Sequence, residues 1–574
     1  MFPEDCDIEL KDLVFYMVGL EKFDNLESME DARYRVQNAV NMLTSSCLLL
    51  NTEREGYTKM HDVVRDVALL ISAQGKKRYW VEAGKGLTKW EPRNKSLESY
   101  TGISLMQNWI SNLPVCEVHT SSIDIFLVND NMELSMISDK FIEGMKEVKV
   151  LDIKNCHITH LPQSLKLLTK LRMLNLSGNK SLNEISVLGE MKELEILILN
   201  RTGIEEIPKE IGRLVNLRQL EVNRCFNMTH VTPGVISKLE NLEELCIDLS
   251  KVSEGVNGCI VVEVMKLSKL TYLDLMVNSI DIIPEGDFKI ENLKGFFVQI
   301  GGFYRYNEPK SSDRYLIISS QHLVIPLVKW LKKLIERSPI TILQRIEKLD
   351  NIIPTLYHEG FNNLEHIELD ACPNVSCLVD DDDDGTKTEE KFFMELKKLR
   401  LTELKNLRVL WKRHVSLTNL VTLYIRGCEK LKRVFTVRVA QDLVNLKDLS
   451  ITNSTILEEV IWGGDDESEN IIAFPSLAQI SLKGLWGLKS FYSGGSENCS
   501  ITYPSLVDVE ISNCFSMKIW GHGTHETPKL KSILVLRAGR RLQLDGPNAI
   551  NDVLPKIKPI EDAEDEEEWN YKNY

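Results

Sequence analysis

No stretch of this sequence approaches about eighteen uninterrupted apolar residues, so nothing in it reads as a membrane span. The opening Met1-Phe2-Pro3-Glu4-Asp5 is acidic at once and leads into no apolar h-region, so a signal peptide is not expected. GxxxxGK(S/T) occurs nowhere, which removes the glycine-rich loop that cradles nucleotide phosphates. The 12 cysteines are scattered. Cys372 and Cys377 are the closest pair and too isolated for a zinc site, so a reducing compartment, cytosolic or nuclear, fits best, and a cytoplasmic location is expected. Basic charge is outweighed, with 69 Lys and Arg against 84 Asp and Glu and a net charge of -15. An acidic chain gains nothing from counterion release, so direct nucleic-acid binding is not expected. No nucleophile–base spacing or metal-ligand cluster stands out. His157 and His160 have no ligand spacing, and the chain does not read as an enzyme.

What the sequence has is self-similarity. Val148, Leu171, Leu194 and Leu217 each open a pattern LxxLxLxx(N/C/T)x(I/L)xx(I/L)P at spacings of 23 residues. The first reads VKVLDIKNCHITHLP and the third LEILILNRTGIEEIP. The pattern recurs from Leu242, Leu270 and Leu293. After a gap it returns at Leu364, Leu396, Leu420, Leu446, Leu477 and Leu506. LxL alternation puts leucines on one face of a short strand and the intervening residues on the other. At Asn179, Asn278, Cys156, Cys225, Cys372, Cys428 or Cys514 the chain turns inward, where an amide satisfies backbone groups and a thiol fills a tight slot. A single coil cannot bury its leucines; stacked coils can. An amphipathic helix would lack the punctuating Asn, Cys and Pro. The fold expected is an α/β leucine-rich-repeat solenoid, curved, with a parallel concave sheet.

The expected organisation is residues 1–90 outside the repeat, 91–147 irregular first coils, 148–300 regular repeats, 301–363 degenerate repeats, 364–545 further repeats and 546–574 an acidic, disordered tail. The degenerate stretch holds an amphipathic run, Ile325–Arg337, between strand-like pieces at Tyr315–Ser319 and Ile340–Ile346. Asp380–Asp384 and Gly463–Asn470 read as exposed polar insertions.

The first ninety residues read as helix (Ile8–Leu20), helix (opened by Ser28-Met29-Glu30-Asp31 as a capping box), strand (Cys47–Leu50), strand (Tyr57–Met60) and helix (Asp62–Ser72), the parts of a winged helix. They contain twelve Lys and Arg against fifteen Asp and Glu, so this winged helix lacks a basic DNA-reading face. Within it, YTKMHDVVRDVALLIS carries Met60-His61-Asp62. That motif resembles the MHD motif closing the nucleotide-binding (NB-ARC) module of plant intracellular disease-resistance receptors. FPED (Phe2–Asp5) and Ser28–Leu50 are similar to the winged-helix end of the same module, and RGCEKLKRVF (Arg426–Phe435) to the repeats of the coiled-coil class. The resemblance covers essentially the whole chain. It implies a receptor fragment whose P-loop and signalling coiled coil would precede Met1, and in which His61 contacts the phosphates of ADP. One imidazole hydrogen bond contributes on the order of 1–3 kcal/mol, so this chain alone is not expected to hold ADP or ATP.

The resemblance also implies the partners: a pathogen effector or a guarded host protein, and other domains of the receptor. Along the concave face, Glu243, Glu244, Asp248, Asp274, Glu365, Glu368 and Asp370 read as an acidic stretch, followed by basic Lys397, Lys398, Arg400 and Arg426. This charge step would steer a partner. The alternative is a leucine-rich-repeat substrate adaptor of a ubiquitin ligase. It would need an F-box-like N-terminal module, against which the MHD and FPED segments stand.

Overall fold

A strand whose alternate residues are leucine has one face to bury, and here each coil buries it against the next. The computed structural model describes residues 1–553, leaving out 75–77, 93–96, 116–121, 282–283, 287, 303–312, 324–326, 354, 357–362, 381–392, 465–470, 495–498, 536–539 and 544–549. It divides into two compact units, Met1–Tyr315 and Leu316–Tyr574. Both are leucine-rich-repeat stacks.

In the first unit a parallel ladder joins Arg78–Val81, Tyr100–Ser104, Ile125–Leu127, Val150–Asp152, Met173–Asn175, Ile196–Ile198, Gln219–Val222, Glu244–Asp248, Tyr272–Val277 and Gly295–Ile300. The first strand, Arg78–Val81, lies inside the stretch assigned from sequence to the N-terminal module. Its coil was missed because Arg78-Tyr79-Trp80-Val81 carries no LxL signal. Behind the strands, Leu151, Leu174, Leu197, Leu220, Leu245 and Leu273 are all at most 2% exposed. The inward-turning Asn179 donates to the carbonyls of Ile153 and Leu176 and accepts from Ile158 N, tying three points of two coils. Asn108 and Asn131 do the same in the coils before it. The cysteines do more than fill space: Cys156 donates to Val128 O and Cys225 to Leu199 O, each one coil back. Burial pushes the Cys156 thiol up to about 12, so it stays protonated and serves as a donor.

In the second unit the ladder runs through Ile340–Gln344, His366–Asp370, Lys398–Thr402, Thr422–Arg426, Asp448–Thr452, Gln479–Lys483, Asp508–Ser512 and Ser532–Val535. The amphipathic run forms a helix, Lys329–Arg337, burying Trp330, Leu331, Leu334 and Ile335. The rest of the two polar insertions beyond Asp380 and Gly463-Gly464 lies outside the described residues. Of the stretch 546–574 expected as a disordered tail, Ile550–Val553 instead form a short helix, with Ile550 buried and Asn551 accepting from Trp520 N at 2.8 Å, while the residues from 554 on lie outside the described ones.

The N-terminal segment folds as β1 (Ile8–Glu9), α1 (Leu10–Gly19), α2 (Met29–Ser45), β2 (Leu50–Asn51), β3 (Tyr57–Lys59) and α3 (Asp62–Gln74), with an antiparallel sheet ordered β1-β3-β2. Ile8 and Glu9 pair with Thr58 and Tyr57 and so leave the expected helix. Ser28 caps α2 by accepting from Asp31 N at 3.1 Å. Asp31 turns to Arg35 one turn on, at 2.8 Å.

Candidate functional site

The N-terminal helices sit on the sheet of the first unit, on the face opposite the leucines. At the strand positions that point there, the sequence has Ile125, Leu127, Val150, Met173, Ile196 and Ile198. These join one buried cluster with Val14, Phe15, Tyr16 and Val18 of α1 and Met29, Ala32, Val36 and Val40 of α2. The approach is close at Gly19, where a Cβ would stand 2.6 Å from Val150 Cγ2 and 2.8 Å from Met173 Cβ. No larger residue fits there without movement.

Ion pairs ring this apolar seat. Lys11 meets Glu221 at 2.8 Å, and Lys149 meets Glu21 at 2.5 Å. Arg33 forms a two-pronged pair with Glu244, and Lys154 pairs with Asp12. Met29 N donates to Glu243 Oε2 at 2.7 Å, so a sheet carboxylate satisfies an amide at the start of α2. Inside the ring, Tyr16 donates its hydroxyl to Asp152 Oδ2 at 2.5 Å. Burial pushes the Asp152 carboxyl up to about 7, against the pull of Lys154 and the Tyr16 hydrogen bond.

This geometry corrects the charge step as a free surface. Glu243 and Glu244 are 8% and 2% exposed and are held by Arg218, Met29 N and Arg33. Asp274 is buried, accepts from Asn223 at 2.5 Å, and burial pushes it up to about 7. Asp248 is half-buried and accepts from Ser250 N. The acids of the first unit therefore face a covered or buried environment, because apolar residues at neighbouring face positions draw the helices onto them.

In the second unit the equivalent face is polar and exposed at Glu365, Lys397, Lys398 and Arg426, while Glu368 is buried. Glu368 and Arg400 stand opposite each other in register, 3.7 Å apart, and Glu365 pairs with Lys397 at 2.9 Å. Arg400 also stacks over Tyr424, 4.4 Å from the ring centre. Lys398 and Arg426 are exposed, and Asp370 is half-buried, its carboxyl raised by burial despite Arg345, Arg400 and Arg426. Acidic and basic residues thus sit on adjacent strands and partly neutralise each other.

Met60 packs against the buried cluster, while His61 is exposed and Asp62 half-buried. His61 Nδ1 accepts from Val63 N at 3.3 Å, so the imidazole caps α3. Among the described residues of this segment, the position that the resemblance assigns to an ADP phosphate contact is one exposed imidazole beside a helix start. Sequence reasoning missed α1 and α2 as occupants of the sheet. The usable signal was the apolar residues at the face positions of the first coils, where later coils carry Asp448, Ser450, Gln479 and Ser481.

Two family models match the chain: a leucine-rich repeat region over residues 128–299, and the leucine-rich repeats of plant disease resistance protein RPS2-like proteins over 330–455. A probable disease resistance protein of Arabidopsis thaliana is 29% identical over 536 residues, 90% of this chain and 57% of the relative. A second disease resistance protein of that plant is 25% identical over 590 residues, 98% of this chain and 58% of the relative. The chain thus spans little more than half the length of these relatives. Among solved structures, the functional domain of InlJ from Listeria monocytogenes is 15% identical, with a TM-score of 0.36 and 74% of each chain covered.

Proposed function

We propose that this chain, which belongs to the plant disease-resistance proteins with leucine-rich repeats, is the sensing part of an intracellular immune receptor. Its second unit would recognise a pathogen effector or a modified host protein, and its first unit would couple that event to a nucleotide switch. The observation that carries the reading is the division of labour between the two sheets. One face is sealed by the chain's own helices, and the other presents Lys397, Lys398, Arg400 and Arg426 beside Glu365 and Asp370, with Glu368 buried beneath Arg400.

The N-terminal segment is read as the winged-helix end of the nucleotide-binding module. Helix α3 has Val63, Val67, Leu70 and Ile71 along one side, 65%, 49%, 62% and 67% exposed. Such an apolar stripe marks an interaction surface. In a receptor carrying the nucleotide-binding part, it would face that part, with His61 at the edge toward ADP. Because α1 and α2 are seated on the sheet, a partner that strains the repeats would act on the switch through them.

The test is capture of partners by proximity labelling in infected and mock-treated leaf tissue. The wild-type chain should enrich a pathogen protein or a host target of one, and K397E, K398E and R400E together should lose it. Enrichment of ubiquitin-ligase subunits, unchanged by the triple variant, would contradict the reading.

A further inference from the structure

The second unit carries another surface that neither strand face accounts for. After each strand the chain passes through a loop on one edge of the stack. In two adjacent coils this loop exposes an aromatic ring, Trp486 (57% exposed) and Phe515 (48%). The rings lie 6.4 Å apart, and Ser516 Oγ donates to Trp486 O at 2.6 Å, tying one loop to the other. Ile456, 41% exposed, occupies the same loop of the preceding coil. The loops stack tightly: Gly487 N donates to Thr455 O, and a Cβ on Gly487 would stand 2.9 Å from that oxygen. The aromatic pair is held in place before any partner arrives, which lowers the ordering cost of binding.

A few residues further along the same loops runs a row of charge. Backbone bonds connect it coil to coil: Glu458 N to Lys432 O, Lys489 N to Glu458 O, and Lys518 N to Lys489 O. Glu458 is shared between Lys489 at 2.5 Å and Lys432 at 3.7 Å, so the row of three lysines and one glutamate is net positive. In a chain of net charge -15, a basic row beside exposed aromatics runs against the overall balance.

We infer that this loop edge is a docking surface for an acidic segment of a partner protein, with Trp486 and Phe515 gripping a bulky apolar side chain and Lys489, Lys518 and Lys432 meeting flanking carboxylates. Aromatic anchors ringed by charge are the composition of interaction hot spots. The inference deepens the reading of the chain as a recognition module and rests on it only for biological context. Its test uses no immune partner, so the two can fail separately.

The experiment is fluorescence polarisation on the full chain with a labelled synthetic peptide alternating Asp or Glu with Leu and Trp. Two further probes are the same peptide with Lys in place of every acid, and a labelled single-stranded oligouridine. The acidic peptide should bind, more weakly as salt rises. W486A with F515A should weaken it by about tenfold or more. K489E with K518E, at exposed positions, should do the same with an unchanged circular-dichroism spectrum and melting temperature. The lysine peptide should not bind. Absent binding of the acidic peptide, equal binding to both variants, or oligouridine binding at this edge in its place would overturn the inference.

Discussion

Tyr16 on α1 donates its phenolic hydrogen to Asp152 on a strand 136 residues later, at 2.5 Å, and both side chains are buried. This bond lies inside the seam between the N-terminal helices and the sheet. Removing the donor leaves the buried Asp152 carboxyl with one fewer partner, at a cost of about 1–3 kcal/mol. Tyr16→Phe should therefore lower the denaturant midpoint and speed amide exchange across α1. With Asp152→Asn already present, the same change should cost less, because the two groups interact directly.

The same carboxyl makes the first unit sensitive to pH. Its value near 7 lies above the ordinary carboxylate value, raised chiefly by burial. The folded state therefore holds a proton that the unfolded state has released. The stabilisation is complete below about pH 4, is lost as pH rises toward about 7, and changes little above that. Asp274, also near 7 through burial, adds a contribution of the same sign. Stability measured from pH 5 to 8 should fall less steeply in Asp152→Asn than in the wild type. An identical slope in the two would show that Asp152 does not titrate in this window.

Gly19 tests the closeness of the seam. Its Cβ would meet Val150 and Met173 side chains at 2.6 and 2.8 Å. Gly19→Val should cost about 1–3 kcal/mol through overpacking and should make the loop between α1 and α2 more sensitive to limited proteolysis. By contrast, Leu174→Asp strikes the leucine face, 0% exposed, and should cost about 3 kcal/mol or more and disorder its coil.

The repeats were legible because their signal is local and redundant: Leu174 and Leu176, or Leu197 and Leu199, need only alternation to declare a buried face. The N-terminal helices were legible from Ser28 and the spacing of Ala32, Val36 and Val40. What was not read was their destination. Positions such as Val150 and Ile196 look like ordinary strand residues until one asks why the side opposite the leucines is apolar in these coils and polar at Asp448 or Gln479. The early coils were legible only as irregular ones, since Tyr100–Ser104 and Ile125–Leu127 lack the LxxLxL frame although Asn108 and Asn131 mark their turns.

The thiols should sort by place in the stack. Burial pushes Cys372 and Cys514 up to about 11 and Cys428 up to about 12, while Cys47 and Cys259 are exposed. Alkylation of the native protein at neutral pH should modify Cys47 and Cys259 first, with the inward cysteines labelled only on unfolding. Peptide mass spectrometry reads this directly, and early labelling of Cys156 or Cys428 would contradict their assigned role.

The claim that the N-terminal helices are seated on the sheet is tested most directly by reversing the pair between Arg33 and Glu244. Arg33→Glu and Glu244→Arg should each cost about 3 kcal/mol, since each leaves like charges facing across a partly buried contact, and each should raise amide exchange in α2 and in Glu244–Asp248. The double variant restores opposite charges and should recover most of the protection. Exchange in α2 that is the same in the wild type, both single variants and the double variant would mean that the helices do not rest on this face.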